Sequence, residues 1–140
     1  MPDRLLDSNA VSALMTADPR MEAYLAERPL SFCTTAVVAG ELEFGIARLE
    51  RGRRKKELER ALETILGMLT EVLTIGIKTS RRYGGLKAEL WRQGRRPLSE
   101  NDLWIAASAL EHRLVLVTSD EPFRDVPGLE VENWREPRRS

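Results

Sequence analysis

The sequence predicts an α/β domain of three layers: a mainly parallel sheet of four to five strands with helices covering both faces. Three observations predict it. Short aliphatic and β-branched runs alternate along the chain with segments of helical periodicity, the pattern of a doubly wound sheet. One run, Leu114-Val115-Leu116-Val117, has no polar interruption, as a parallel strand buried on both faces requires. The chain has 140 residues, 42% of them hydrophobic, enough for one domain with a true core and too few to expect a second.

Taken in order, Arg4-Leu5-Leu6 is a first short strand that stops at Asp7-Ser8-Asn9, residues suited to turns and helix caps. A helix with Val11, Leu14 and Met15 on its apolar side follows, and Asp18-Pro19 ends it and opens another through about Arg28. Pro29 interrupts. Leu30-Ser31-Phe32-Cys33 supplies a second strand, and Thr34-Thr35 begin a helix to about Arg51, where Gly52 is expected to cap its end. The basic run Arg51 to Lys56 leads into a helix with Leu58, Leu62, Ile65 and Leu69 on one side. Val72-Leu73-Thr74-Ile75 reads as a third buried strand, followed by a helix from about Lys78 to Gln93 and a loop, Gly94 to Pro97, carrying Arg95 and Arg96. Ser99 and Asp102 have the form of a capping box for the next helix, on which Ile105, Ala106, Ala109 and Leu110 recur at helical spacing. The 114–117 strand ends in Thr118, Ser119 and Asp120. Beyond it Phe123 folds back on the core, Pro127-Gly128 turns, and Leu129 to Val131 gives a last strand. The domain thus spans 1–134, and the basic tail 135–140 is expected to be disordered.

Composition removes several function classes. With 22 basic and 22 acidic residues the formal charge is zero, which excludes a nucleic-acid coat and leaves any such role to local patches. The lone Cys33 has no internal disulfide partner, and MPDRLLD has neither a signal-peptide core nor a membrane span, so a soluble cytoplasmic protein is expected. His112, the only histidine, falls at a helix C-terminus where a polar cap is ordinary, which removes most serine and cysteine triads.

Four carboxylates stand out instead. Asp7 and Asp120 follow strands at the edge where open α/β sheets bind ligands. Asp102 lies on the apolar face of its helix, and on a helical wheel Val37, Val38, Phe44 and Gly45 fall within about 60° of Glu41. A glutamate in an apolar stripe costs several kcal/mol unless compensated, either by a cation or by an ion pair with an arginine such as Arg48. Asp7 alone could equally be a plain N-cap. Four carboxylates brought together repel one another and need a positive charge among them. All-oxygen ligation without clustered His or Cys points to Mg²⁺ or Mn²⁺ and away from zinc, in a site suited to phosphodiester hydrolysis. Arg95, Arg96 and the Arg51 to Lys56 run, Arg53 and Arg54 in particular, are the candidates for holding a phosphate backbone.

The stretches LLDSN at 5–9, TTAVVAGELEFGIARL at 34–49, NDLWIAASAL at 101–110 and LVTSDEPFRDVPGLEVENW at 116–134 resemble, in order, the successive motifs of PIN-domain ribonucleases. They are most similar to the VapC toxins of bacterial toxin-antitoxin pairs. The resemblance implies an Mg²⁺- or Mn²⁺-dependent endoribonuclease whose metal and catalytic residues are Asp7, Glu41, Asp102 and Asp120, with Ser8 and Thr118 in support. Relatives often carry threonine where Ser8 stands, and some carry asparagine at the position of Asp120. The resemblance further implies an RNA substrate cut to a 5′-phosphate and a 3′-hydroxyl, a VapB-type antitoxin partner, DNA contact only through that antitoxin, and a homodimer. The two helices flanking Gly52 are expected to form the antitoxin groove. A catalytically degenerate PIN-like interaction module is the alternative; four intact acidic motifs count against it. A haloacid dehalogenase-like phosphotransferase would need a second aspartate two residues after Asp7, where this chain has Asn9.

Overall fold

The computed structural model describes residues 2–27, 31–95 and 98–136. Five strands form one all-parallel sheet: β1 (Arg4–Leu6), β2 (Phe32–Thr35), β3 (Glu71–Leu73), β4 (Val115–Val117) and β5 (Val131–Glu132), in the order β3-β2-β1-β4-β5. Leu5 pairs with Cys33 on one side and Leu116 on the other, so β1 is central. Leu5, Leu6, Leu116 and Val117 are fully buried, each burial contributing about 1.5–3 kcal/mol. The uninterrupted apolar runs thus become the middle of the sheet.

The helices are α1 (Ser8–Met15), α2 (Pro19–Ala26), α3 (Ala36–Ala47), α4 (Arg53–Met68), α5 (Ile77–Arg92) and α6 (Glu100–His112). Their starts follow the caps written in the sequence. Asp7, Asp18, Thr35 and Ser99 each accept a backbone N–H of the first turn, satisfying donors that a helix start leaves orphaned. The α5–α6 pair packs closely, with the Tyr83 and Trp104 rings stacked at 3.9 Å. At the far edge of the sheet, Arg4 clamps Glu132 of β5 through two hydrogen bonds of 3.0 and 2.9 Å. Tyr24 from α2 donates to the same carboxylate, so two strands and a helix are tied across the sheet.

Several expectations need correction. Gly52 does not close the helix that begins after Thr35; α3 ends at Ala47 with Arg48 as its cap, and Gly52 is the N-cap of α4. A lone glycine between two helices carries the same local signal for either role. The third strand lies at the sheet edge and stops at Leu73, leaving Ile75 exposed. The last strand is shifted to Val131–Glu132. Arg135 lies over the buried Trp134 ring at 4.8 Å, while residues 137–140 of the expected tail fall outside the described residues. Among the described residues no helix is long and apolar enough to cross a membrane.

Candidate active site

In a parallel sheet every strand ends at the same edge, so the residues after β1 and β4 meet there with the starts of the helices that run back from it. Asp7, directly after β1, is 3% exposed. Its carboxylate accepts the Ala10 N–H at 2.9 Å, the cap bond of α1, and a hydrogen bond from the Thr118 hydroxyl at the end of β4. Desolvation nevertheless dominates, and with the charges of Asp120 and Asp102 nearby it pushes the Asp7 carboxyl up to about 6.

The charges of Asp120 and Asp102 act on it, and Glu41 lies in turn beside Asp102. Asp102, in the first turn of α6, is half-buried above Ala106 and Ala109. Burial first, then the charges of Glu41 and Asp120, hold its carboxyl above the usual range against a hydrogen bond from Ser99. Glu41 on α3 accepts a short bond, 2.6 Å, from the Ser8 hydroxyl. Both carboxylate oxygens of Asp120 accept from Asn9 Nδ2, at 3.2 and 3.3 Å, while the Asp120 backbone N–H donates to Thr118 Oγ1 at 3.0 Å. Thr118 therefore stands between Asp7 and Asp120 and touches both. Just beyond, Phe123 is fully buried and anchors the short 3₁₀ turn Glu121–Asp125 that follows Asp120.

The stripe around Glu41 is less buried than its spacing suggested. Val38 and Ile46 enter the core, but Phe44 is 68% exposed and Glu41 is only half-buried. Arg48 lies over the Phe44 ring at 6.0 Å, and no ion pair joins it to Glu41. Serine, not arginine, compensates the glutamate. Of the basic candidates, Arg95 donates weakly to the Asp125 carbonyl at 3.5 Å, Arg53 pairs with Glu57 at 3.0 Å on exposed α4, Arg54 is exposed, and Arg96 lies outside the described residues. Asn9, which orients Asp120, was not among the expected site residues; its only signal was its place in the first turn after Asp7.

Does this pocket suit a divalent ion? Among the described residues no three His, Cys, Asp or Glu side chains are grouped closely enough to hold a metal ion between them. The donor set is nonetheless all oxygen, half-open and electrostatically strained toward protonation, as Asp7 and Asp102 show. Mg²⁺ takes one or two carboxylates directly and keeps several waters, so an open acidic pocket is compatible with it, where zinc would want nitrogen or sulfur.

The fold and this edge of acids define a recognisable class: a PIN-domain model matches residues 4–129. Ribonuclease VapC2 of Haemophilus influenzae is 30% identical over 132 residues, 93% of this chain and 96% of the relative. VapC ribonuclease Y4jK of Sinorhizobium fredii is 28% identical, over 95% of this chain and 98% of its own. A solved structure of VapBC2 from Rickettsia felis bound to a promoter DNA fragment superposes with a TM-score of 0.83 at 25% identity, covering 94% of this chain and 98% of that one. The chain belongs to the VapC ribonucleases of the PIN-domain family.

Proposed function

We propose that the chain is an endoribonuclease toxin that hydrolyses RNA with the help of Mg²⁺ or Mn²⁺ held by Asp7 and Asp102, with Glu41 and Asp120 completing the pocket. What supports this reading is the approach of Asp102 and Asp120 to a buried Asp7 at the carboxyl edge of the sheet, with Glu41 beside Asp102. A divalent ion bound there supplies Lewis acidity, polarising a phosphate and lowering the pKa of water. The chain's own groups hold the geometry. Ala10 and Thr118 fix Asp7, Ser8 fixes Glu41, and Asn9 fixes Asp120 beside it. Rigid carboxylates orient the attacking water and accept its proton.

The test is cleavage of RNA by the purified chain after chelation and again after Mg²⁺ is restored, followed by end-group analysis. Cleavage should return with the ion and leave a 5′-phosphate and a 3′-hydroxyl. A 2′,3′-cyclic phosphate product would mean attack by the RNA's own hydroxyl and would end this mechanism.

The antitoxin site follows from a groove of about 620 Å³ between α3 and α4. Ile46, Leu62 and Leu66 line it, with Glu43, Glu59 and Glu63 around them. Lys55 donates to the carbonyls of Ala47 and Leu49 and so sets the angle between the two helices. An amphipathic helix with apolar anchors and basic flanks suits such a groove, and a VapB-type antitoxin is its proposed occupant. DNA would then be reached through the antitoxin alone. Phe44 and Trp91 remain largely exposed, apolar surface of the kind that a second copy buries, and a homodimer is proposed on that basis. Light scattering reads the mass directly.

A further inference from the structure

We infer that the chain carries a second ligand site, a basic cleft at the opposite edge of the sheet from the acidic pocket, which takes the phosphate and base of a 5′-nucleotide. The cleft has a volume of about 660 Å³, within the range of small-ligand sites. Arg81 and Arg82 of α5 and Arg113 at the end of α6 converge on it. None of the three is held by an ion pair or a side-chain hydrogen bond among the described residues. Leu86, Leu110 and Leu129 form an apolar floor beneath them.

Surface arginines are ordinarily just solvated, so the convergence alone would be weak. Two residues of the cleft, however, are locally unfavourable choices, and both act to build it. Arg113 has φ +55°, the left-handed conformation where glycine is preferred and any other residue is strained by roughly 1–2 kcal/mol. Arginine in that place puts a guanidinium at the cleft. Gly85 sits inside α5, where glycine costs about 1 kcal/mol relative to alanine. A Cβ there would meet nothing within 4 Å, so packing does not demand glycine; its missing side chain leaves the cleft open. Local rules broken without a packing reason mark functional positions.

The lining selects the ligand's chemistry. Guanidinium forks bind phosphate oxygens in pairs and stack on flat rings. The leucine floor suits a base and gives nothing to a bare anion. Glu89 and Glu130, which also line the cleft, can accept hydrogen bonds from ribose hydroxyls and leave the phosphate to the arginines. The same chemistry could come from a free nucleotide or from the 5′-phosphorylated end of an RNA.

The experiment is a calorimetric titration of the full chain with adenosine 5′-monophosphate in chelator, where the acidic pocket plays no part. We expect saturable binding of one equivalent, with inorganic phosphate and adenosine each at least about tenfold weaker. Arg113→Gly, which also relieves the left-handed strain, and Gly85→Leu, which fills the cleft, should each weaken binding about tenfold or more while RNA cleavage is unchanged. Arg82→Gln provides the same reading should either variant fold poorly. A 5′-phosphorylated oligoribonucleotide binding more tightly than the mononucleotide would identify an RNA end as the ligand; equal or weaker binding would identify the free nucleotide. The inference is overturned if the nucleotide fails to bind, if inorganic phosphate binds as well, or if the soluble variants bind unchanged.

Discussion

The two ends of α6 carry opposite chemistry. Asp102 in its first turn and Arg113 at its C-cap are about 16 Å apart along the axis, on the favourable ends of the helix dipole. At the acidic end the chain fixes its charges: Asp7 by Ala10 and Thr118, Glu41 by Ser8, Asp120 by Asn9. At the basic end Arg81, Arg82 and Arg113 ride on a fixed framework, their heads without an ion pair among the described residues. A formal charge of zero therefore conceals two separated patches. Position and partners, not net charge, decide what each patch can do. Clamped carboxylates suit catalysis, which needs groups in place before the substrate arrives, and such arginines suit ligands whose phosphates choose their own geometry.

Breaking the acidic end should have the largest effect. Asp7→Asn keeps the cap, since asparagine accepts the same N–H, but removes a charge from the pocket, and RNA cleavage should fall by roughly 10³-fold or more, a loss of several kcal/mol. Single-turnover rates check this, and activity within tenfold of wild type would mean that Asp7 serves only as a cap.

The same variant should be the more stable one without metal. Because the folded Asp7 carboxyl titrates at about 6 against an ordinary 3.8, the folded state binds its proton more tightly than the unfolded state does. Below about pH 4 both states are protonated and no penalty arises; above about 6 the folded chain bears a buried charge costing about 3 kcal/mol. Urea unfolding in chelator should therefore show Asp7→Asn ahead by up to that amount at pH 7.5, with the gap closing as pH falls from 6 to 4. A gap that stayed constant across this range would show that the charge is not the cause.

The groove between α3 and α4 serves neither end of α6. Leu66→Asp, on the half-buried wall, should weaken antitoxin binding by about tenfold or more with cleavage unchanged. Leu62 is 1% exposed, so the matching change there should unfold the chain and would test nothing about the groove. Binding by the soluble Leu66 variant at full affinity would place the antitoxin elsewhere.

The smallest expected effect is that of Thr118→Val, which removes a hydroxyl shared by Asp7 and Asp120. Losing a donor to the carboxylate raises Asp7 further, so the acid limb of kcat/KM should move to higher pH at a stability cost of about 1 kcal/mol. An unmoved limb with the same stability loss would reduce Thr118 to a packing residue.

The layers, the parallel sheet and most helix starts were legible in the residues alone, because they follow from local periodicity and from caps such as Asp7, Thr35 and Ser99, which act within three residues. The sequence also named the four acids, readable one by one: Asp7 and Asp120 after strands, Asp102 at a helix start and Glu41 on a helical wheel. Which partner each acid keeps depends on how the elements pack. The Asn9–Asp120 and Ser8–Glu41 bonds span 111 and 33 residues, and no local pattern encodes a pairing made by two elements meeting at a sheet edge. Tertiary packing likewise decided that Phe44 faces outward and that Gly52 opens α4, since a wheel gives the side of a helix without saying where its neighbours stop. The basic cleft is the extreme case: Arg81, Gly85, Arg113 and Leu129 are scattered through the chain and share a surface only because α5, α6 and the approach to β5 are packed against one sheet.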